Sequence, residues 1–124
     1  MELSLETDGI VAALRVRGEV TLTEASTITE YLRVARENGA LRCVVDLSSC
    51  TSLPTTIVAV LMREQGRFSV AGGGLALSGV GGQNPFLAQS VAAGRFDHHR
   101  TVEEGIAAER RAAGASIDAP EGGT

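Results

Sequence analysis

Few residues of this 124-residue chain are equipped for chemistry. The only histidines, His98 and His99, are adjacent. Neighbours on a strand point to opposite faces, and helical ligand pairs need i, i+3 or i+4 spacing, so the two do not share a metal ion. Cys43 and Cys50 form no C-x-x-C pair and lie in or beside an apolar run. A reduced cysteine there serves as a small hydrophobe. The four aspartates, Asp8, Asp46, Asp97 and Asp118, form no local carboxylate pair, and no G-x-S-x-G is present. Gly72-Gly73-Gly74 and Gly79-Val80-Gly81-Gly82 invite a phosphate-loop reading, but Asn84 stands where G-x-G-x-x-G needs its third glycine. They read as tight turns. All eleven cations are arginine, which removes P-loop, Schiff-base and Ser–Lys chemistry. No enzyme activity, cofactor or metal is expected. The remaining feature is a pair of hydroxyls, Thr55 and Thr56, behind Pro54 at the start of an apolar helix. A Thr55 hydroxyl acting as N-cap there would stabilise the helix by about 1 kcal/mol.

Composition bounds the frame that carries these residues. A length of 124, with 44 % hydrophobic and 21 % charged residues, is one ordinary globular domain. Only Tyr31, Phe68, Phe86 and Phe96 are aromatic, so the core is built from Val, Leu, Ile and Ala. The net charge is −4 and the arginines are scattered in sequence, which argues against nucleic acid as a partner. The acidic start, Met1 to Glu6, does not read as a signal peptide. The longest apolar stretch, Ile57–Met62, is far short of the roughly 20 residues of a membrane span. No membrane insertion and a cytoplasmic location are therefore expected.

Patterning gives the element order. Leu3–Thr7 and Ile10–Arg17 alternate about an Asp8-Gly9 turn and predict a β-hairpin. Thr21-Leu22-Thr23-Glu24 fits a capping box. Ala25, Ile28, Leu32 and Ala35 then recur at helical spacing, and Asn38-Gly39 closes the helix. Leu41–Leu47 reads as a strand buried on both faces, followed by a polar linker, Ser48–Ser52. A second helix runs from Pro54-Thr55-Thr56 to about Phe68, with Val58, Leu61 and Met62 in the core and Ile57, Ala59 and Val60 partly on other faces. Leu75–Ser78 is a third buried strand. Asn84-Pro85 starts a short helix that Gly94 ends. Arg95–Arg100 holds a short strand, and Thr101-Val102-Glu103-Glu104 opens a last helix to about Ala112. Residues 113–124, rich in Gly, Ala and acid, read as a disordered tail. The fold class is α/β: a single domain over 1–112, with a mixed sheet of four to five strands, about four helices and the order ββαβαβα(β)α. The exposed edge of the N-terminal hairpin offers a route to a homodimer.

The segment Val44-Val45-Asp46-Leu47-Ser48-Ser49-Cys50-Thr51-Ser52-Leu53-Pro54-Thr55-Thr56-Ile57-Val58 resembles the signature of STAS domains, the family of bacterial anti-sigma factor antagonists. That signature runs D-L-S-G-V-T, an apolar pair, then D-S-S-G-L at a helix start. Gly18-Glu19-Val20-Thr21 resembles the family's G-E-L-D, and Thr101 to Ile106 its closing segment. The element order agrees from residue 3 to about 111. Pro54 stands in place of the family's Asp, Thr55 in place of the phospho-accepting Ser, Thr56 in place of Ser and Ile57 in place of Gly.

The resemblance implies a domain that binds an anti-sigma factor serine kinase, and so regulates sigma-factor-dependent transcription. Thr21, Ser52, Leu53, Pro54, Thr55, Thr56 and Ala59 would form the contact, and Thr55, with Thr56 as a second hydroxyl, would take the phosphate. A phosphate adds about −1.5 to −2 charges, which a helix N-terminus tolerates and a partner surface need not. The resemblance also implies an alternative, an unphosphorylated interaction subunit of a larger signalling or lipid-transport assembly. A small-ligand sensor using the two glycine stretches is a third expectation.

Overall fold

The computed structural model describes residues 1–118. Its five strands are β1 (Glu2–Asp8), β2 (Val11–Glu19), β3 (Arg42–Ser52), β4 (Gly74–Ser78) and β5 (Asp97–His99). Its four α-helices are α1 (Ala25–Glu37), α2 (Thr55–Val70), α3 (Pro85–Ala92) and α4 (Val102–Asp118). The strands form one sheet in sequential order, with β1 antiparallel to β2 and the remaining pairs parallel. Sequential parallel strands with crossovers of one hand place their helices on one face. Accordingly Ile28 and Leu32 of α1, Val58 and Leu61 of α2 and Leu87 of α3 share one core with Leu14, Val45 and Leu77. On the opposite face, Val102 and Ile106 of α4 pack on Ala13 and Val44. Alternate residues of β2 and β3 thus serve the two faces, as the pleat requires.

The local signals hold. The Asp8-Gly9 turn joins the hairpin with Gly9 at φ +66°, and Gly39 at φ +97° follows α1. Asn84 caps α3, accepting from the amides of Phe86 (2.8 Å) and Leu87 (3.1 Å), with Pro85 as first helical residue. The Thr101 hydroxyl accepts from the amide of Glu104 at 3.2 Å.

Four expectations need correction. Ser48–Ser52 is not a linker but the second half of β3. Arg15 pairs with Asp46, yet Arg17 pairs with Ser49, and Gly18 with Cys50, yet Glu19 with Ser52. Two irregularities therefore shift the phase of β3. Cys43, Val45 and Leu47 face the larger core, and after the shift so does Cys50. Second, Thr55 is not the N-cap of α2: Pro54 holds that place, without a side-chain cap, and Thr55 is the first helical residue. Third, Ile57 and Val60 are buried with Val58 and Leu61, whereas Met62 is only partly buried. Fourth, α4 passes the expected boundary at residue 112 and runs to Asp118, with Ala113 buried. The remainder of the expected tail, 119–124, lies outside the described residues.

Candidate functional site

The β3–α2 loop leads to the paired hydroxyls, and two segments hold it. The amide of Val20, at the end of β2, donates to the Ser52 carbonyl at 2.9 Å, which brings Thr21 alongside. The Leu53 amide donates to the Gln83 carbonyl at 3.3 Å. The Asn84 amide group donates to the Leu53 carbonyl (2.9 Å) and to the Thr55 hydroxyl (3.3 Å). Gln83 fixes the base of the same loop, donating to the carbonyls of Leu47 (2.8 Å) and Gly79 (3.0 Å). Asn84 is therefore both the cap of α3 and the anchor of the loop. Sequence reasoning finds the first role from Asn-Pro and misses the second, which depends on a distant part of the chain.

The residues named from the sequence do not all present themselves alike. Thr21, Thr55, Thr56 and Ala59 are exposed; Ser52 and Pro54 are half-buried. Leu53 is 5 % exposed and anchors the loop in the core, so its side chain is not a free contact surface. Ile57 also points inward at 1 % exposure, so the residue replacing the family's glycine adds no bulk outside. The Thr21 hydroxyl lies 3.0 Å from that of Thr23, and its amide donates to the Glu24 carboxylate at 2.8 Å.

The start of α2 is electrostatically open. It has no side-chain cap and no acidic residue in its first turn. Its first amides carry the positive end of the helix dipole, where added negative charge is stabilised. Among the described residues only Leu22, Val70 and Phe86 are large exposed hydrophobics. Two of them neighbour residues tied to this loop: Leu22 follows Thr21, and Phe86 lies two residues beyond Asn84. Exposed hydroxyls, a free helix terminus and flanking apolar side chains suit docking of a protein surface.

The other candidates fall elsewhere. Burial pushes the Cys43 thiol up to about 12 and also raises Cys50, so both are poor nucleophiles. His98 accepts from the Val80 amide at 3.2 Å, and partial burial, then neighbouring His99, hold it below its ordinary value. His99 turns toward Glu109, 3.7 Å away. Among the described residues no group of three or more His, Cys, Asp or Glu is placed to hold a metal ion. Within the glycine stretches, Gly73 and Gly79 allow close approach of neighbouring chain. A Cβ on Gly73 would lie 1.6 Å from the Leu41 carbonyl oxygen, and one on Gly79 would lie 2.6 Å from Cβ of Ser48. No described helix is long and apolar enough to cross a membrane.

The chain matches the family model described as "Mlab, STAS domain" over residues 3–104. No curated protein matches it in sequence. Its fold is similar to that of an anti-sigma factor antagonist from Mycobacterium paratuberculosis, with TM-score 0.75, 16 % identity and coverage of 88 % of this chain and 93 % of that one. It is similar to the anti-sigma factor antagonist SpoIIAA in its unphosphorylated form, with TM-score 0.73, 15 % identity and coverage of 88 % and 98 %. The phosphorylated form of the Bacillus cell fate determinant SpoIIAA aligns with TM-score 0.66, 12 % identity and coverage of 83 % and 96 %.

Proposed function

The chain belongs to the STAS domain family, and from that premise we propose that it is an anti-sigma factor antagonist acting by protein binding rather than by catalysis. Its partner is an anti-sigma factor serine kinase, met through Thr21, Ser52, Pro54, Thr55, Thr56 and Ala59, with Leu53 anchoring the loop from within. The observation that carries this reading is the placement of Thr55 and Thr56 as exposed hydroxyls in the uncapped, acid-free first turn of α2. Leu22, next to Thr21, and Phe86, in the first turn of α3, are exposed apolar side chains. Phosphorylation of Thr55, or of Thr56, places a dianion on that surface. The helix terminus tolerates it, while the partner meets a new charge that must be desolvated. Binding is then switched off, and with it the regulation of sigma-factor-dependent transcription.

A second reading is an unphosphorylated interaction subunit of a larger bacterial assembly. Pro54 favours it, because it leaves the loop stiff and without the carboxylate that the signature carries there. The two readings separate on incubation with ATP and the co-purifying kinase, followed by peptide mapping. Phosphate on Thr55 or Thr56, lost in Thr55→Val or Thr56→Val, supports the switch. An unmodified chain in a stable complex that ignores ATP overturns it and favours the assembly.

A further inference from the structure

A crevice of about 350 Å³ opens beside the first turn of α4, on the sheet face opposite α1 and α2. Three guanidinium groups line it, Arg15 and Arg17 from β2 and Arg100 from the β5–α4 loop. These arginines are dispersed in sequence, and the fold gathers them. Arg15 and Arg17 stand two apart and share a face, while β5 delivers Arg100 to the same place. The first irregularity of β3 lies between the residues paired with Arg15 and Arg17, and it sets both Ser48 and Ser49 along the wall. Irregularities of this kind re-aim side chains beside functional sites.

The charges in the crevice are unevenly matched. Arg15 is paired with Glu6 at 2.9 Å and Arg100 with Glu104 at 3.3 Å. Arg17 has no ion-pair partner among the described residues. Two carboxylates also line the crevice, Asp46 and Glu103. Asp46 is 7 % exposed and already accepts three hydrogen bonds: from the Ser48 amide (3.2 Å), the Ser48 hydroxyl (3.1 Å) and the Ser78 hydroxyl (3.0 Å). Its charge is met locally. Glu103 is exposed, so solvent and salt screen its charge.

We propose that this crevice binds a tetrahedral oxyanion, as free phosphate or as the phosphate of a small ester. Arg17 is its principal contact, with Arg15 and the Ser49 hydroxyl beside it, the Ser48 hydroxyl being held by Asp46. The planar guanidinium fork matches phosphate geometry, and the Ser49 hydroxyl supplies a further donor. The volume falls at the low end for small-molecule sites of roughly 300–1,000 Å³. The crevice lies beside the second half of β2 and the middle of β3. It is a different face from the β3–α2 loop, so the proposal stands independently of the partner reading.

The test is a titration of the full chain with inorganic phosphate, followed by amide chemical shifts at constant ionic strength, with chloride as the balancing salt. Saturable shifts at Arg17, Ser48, Ser49 and Val102 are expected at about millimolar phosphate or below. Arg17→Gln should weaken binding about tenfold or more, and Glu103→Gln should tighten it about threefold. Arg111→Gln, an equal charge change at an exposed site outside the crevice, should leave it unchanged. Thermal midpoints confirm that each variant is folded. Adenosine monophosphate, run in parallel, distinguishes the sources: tighter binding than phosphate assigns an ester, and equal binding assigns phosphate itself. Shifts that grow linearly without saturating, or equal losses in Arg17→Gln and Arg111→Gln, would overturn the proposal.

Discussion

Replacing Asn84 tests how the loop is held more sharply than any other single change. Its side chain is 7 % exposed and serves two elements at once. The carbonyl oxygen accepts from the Phe86 and Leu87 amides, and the amide nitrogen donates to the Leu53 carbonyl and the Thr55 hydroxyl. Asn84→Ala removes the cap, which contributes about 1 kcal/mol. It also strands the buried Leu53 carbonyl, at a cost of about 1–2 kcal/mol. The expected loss is about 2–3 kcal/mol, or about 10 °C in thermal midpoint for a chain of this size. Asn84→Asp separates the two roles. The carboxylate still caps α3, but its second oxygen faces the Leu53 carbonyl without a proton to donate. It should cost about 1–2 kcal/mol, less than the alanine variant. Urea denaturation with an unchanged m-value measures both, and amide exchange at Thr55 to Ile57 reports whether the loop has loosened. An alanine variant losing less than about 0.5 kcal/mol, or an aspartate variant as stable as the parent, would refute the anchoring role.

Other expectations follow from the same structure. Glu64 is fully buried between α1 and α2 and is paired with Arg36 and, at 3.3 Å, with Arg67; Glu64→Ala should cost about 3 kcal/mol by stranding the partly buried Arg36, as read by chemical denaturation. Cys43, with its thiol pushed up to about 12, should resist alkylation at pH 8 in the folded chain and react at once in denaturant. His98 is held below its ordinary value in the fold, so the unfolded chain binds more protons near pH 6.5. Its contribution is fully present above that pH and is lost as pH falls through the folded value; midpoints from pH 7.5 to 5 should drop less in His98→Gln. Gly79 sits at φ +69°, and a Cβ added there would lie 2.6 Å from Cβ of Ser48, so Gly79→Ala should lose about 2–3 kcal/mol, again by denaturation.

The frame is legible in the sequence because its local signals agree with one another. The Asp8-Gly9 turn, the Asn84-Pro85 start and the glycine at position 39 each state a backbone conformation directly. β3 is legible only to Leu47, because its irregularities break the alternation that defines a strand and present Ser48, Ser49 and Thr51 as polar chain. Ile57 and Val60 escape a single-stripe reading because a helix covered by both the sheet and α1 buries more than one stripe. The start of α2 is visible as Pro54-Thr55-Thr56, yet its anchor is not, since nothing near Asn84 in sequence signals a carbonyl on Leu53. The arginines of the crevice look scattered for the same reason: strand pairing, not sequence distance, decides which of them meet.

The surface at Thr55 is proposed as a partner-binding switch. The most direct test is an affinity pull-down from lysate of the source cell, comparing the parent chain with Thr55→Glu and identifying the retained proteins by mass spectrometry. The parent is expected to retain an anti-sigma factor with an ATP-dependent serine kinase fold and Thr55→Glu to lose it, with both proteins equally folded. An identical partner set for the two, or a set without such a kinase, would contradict it.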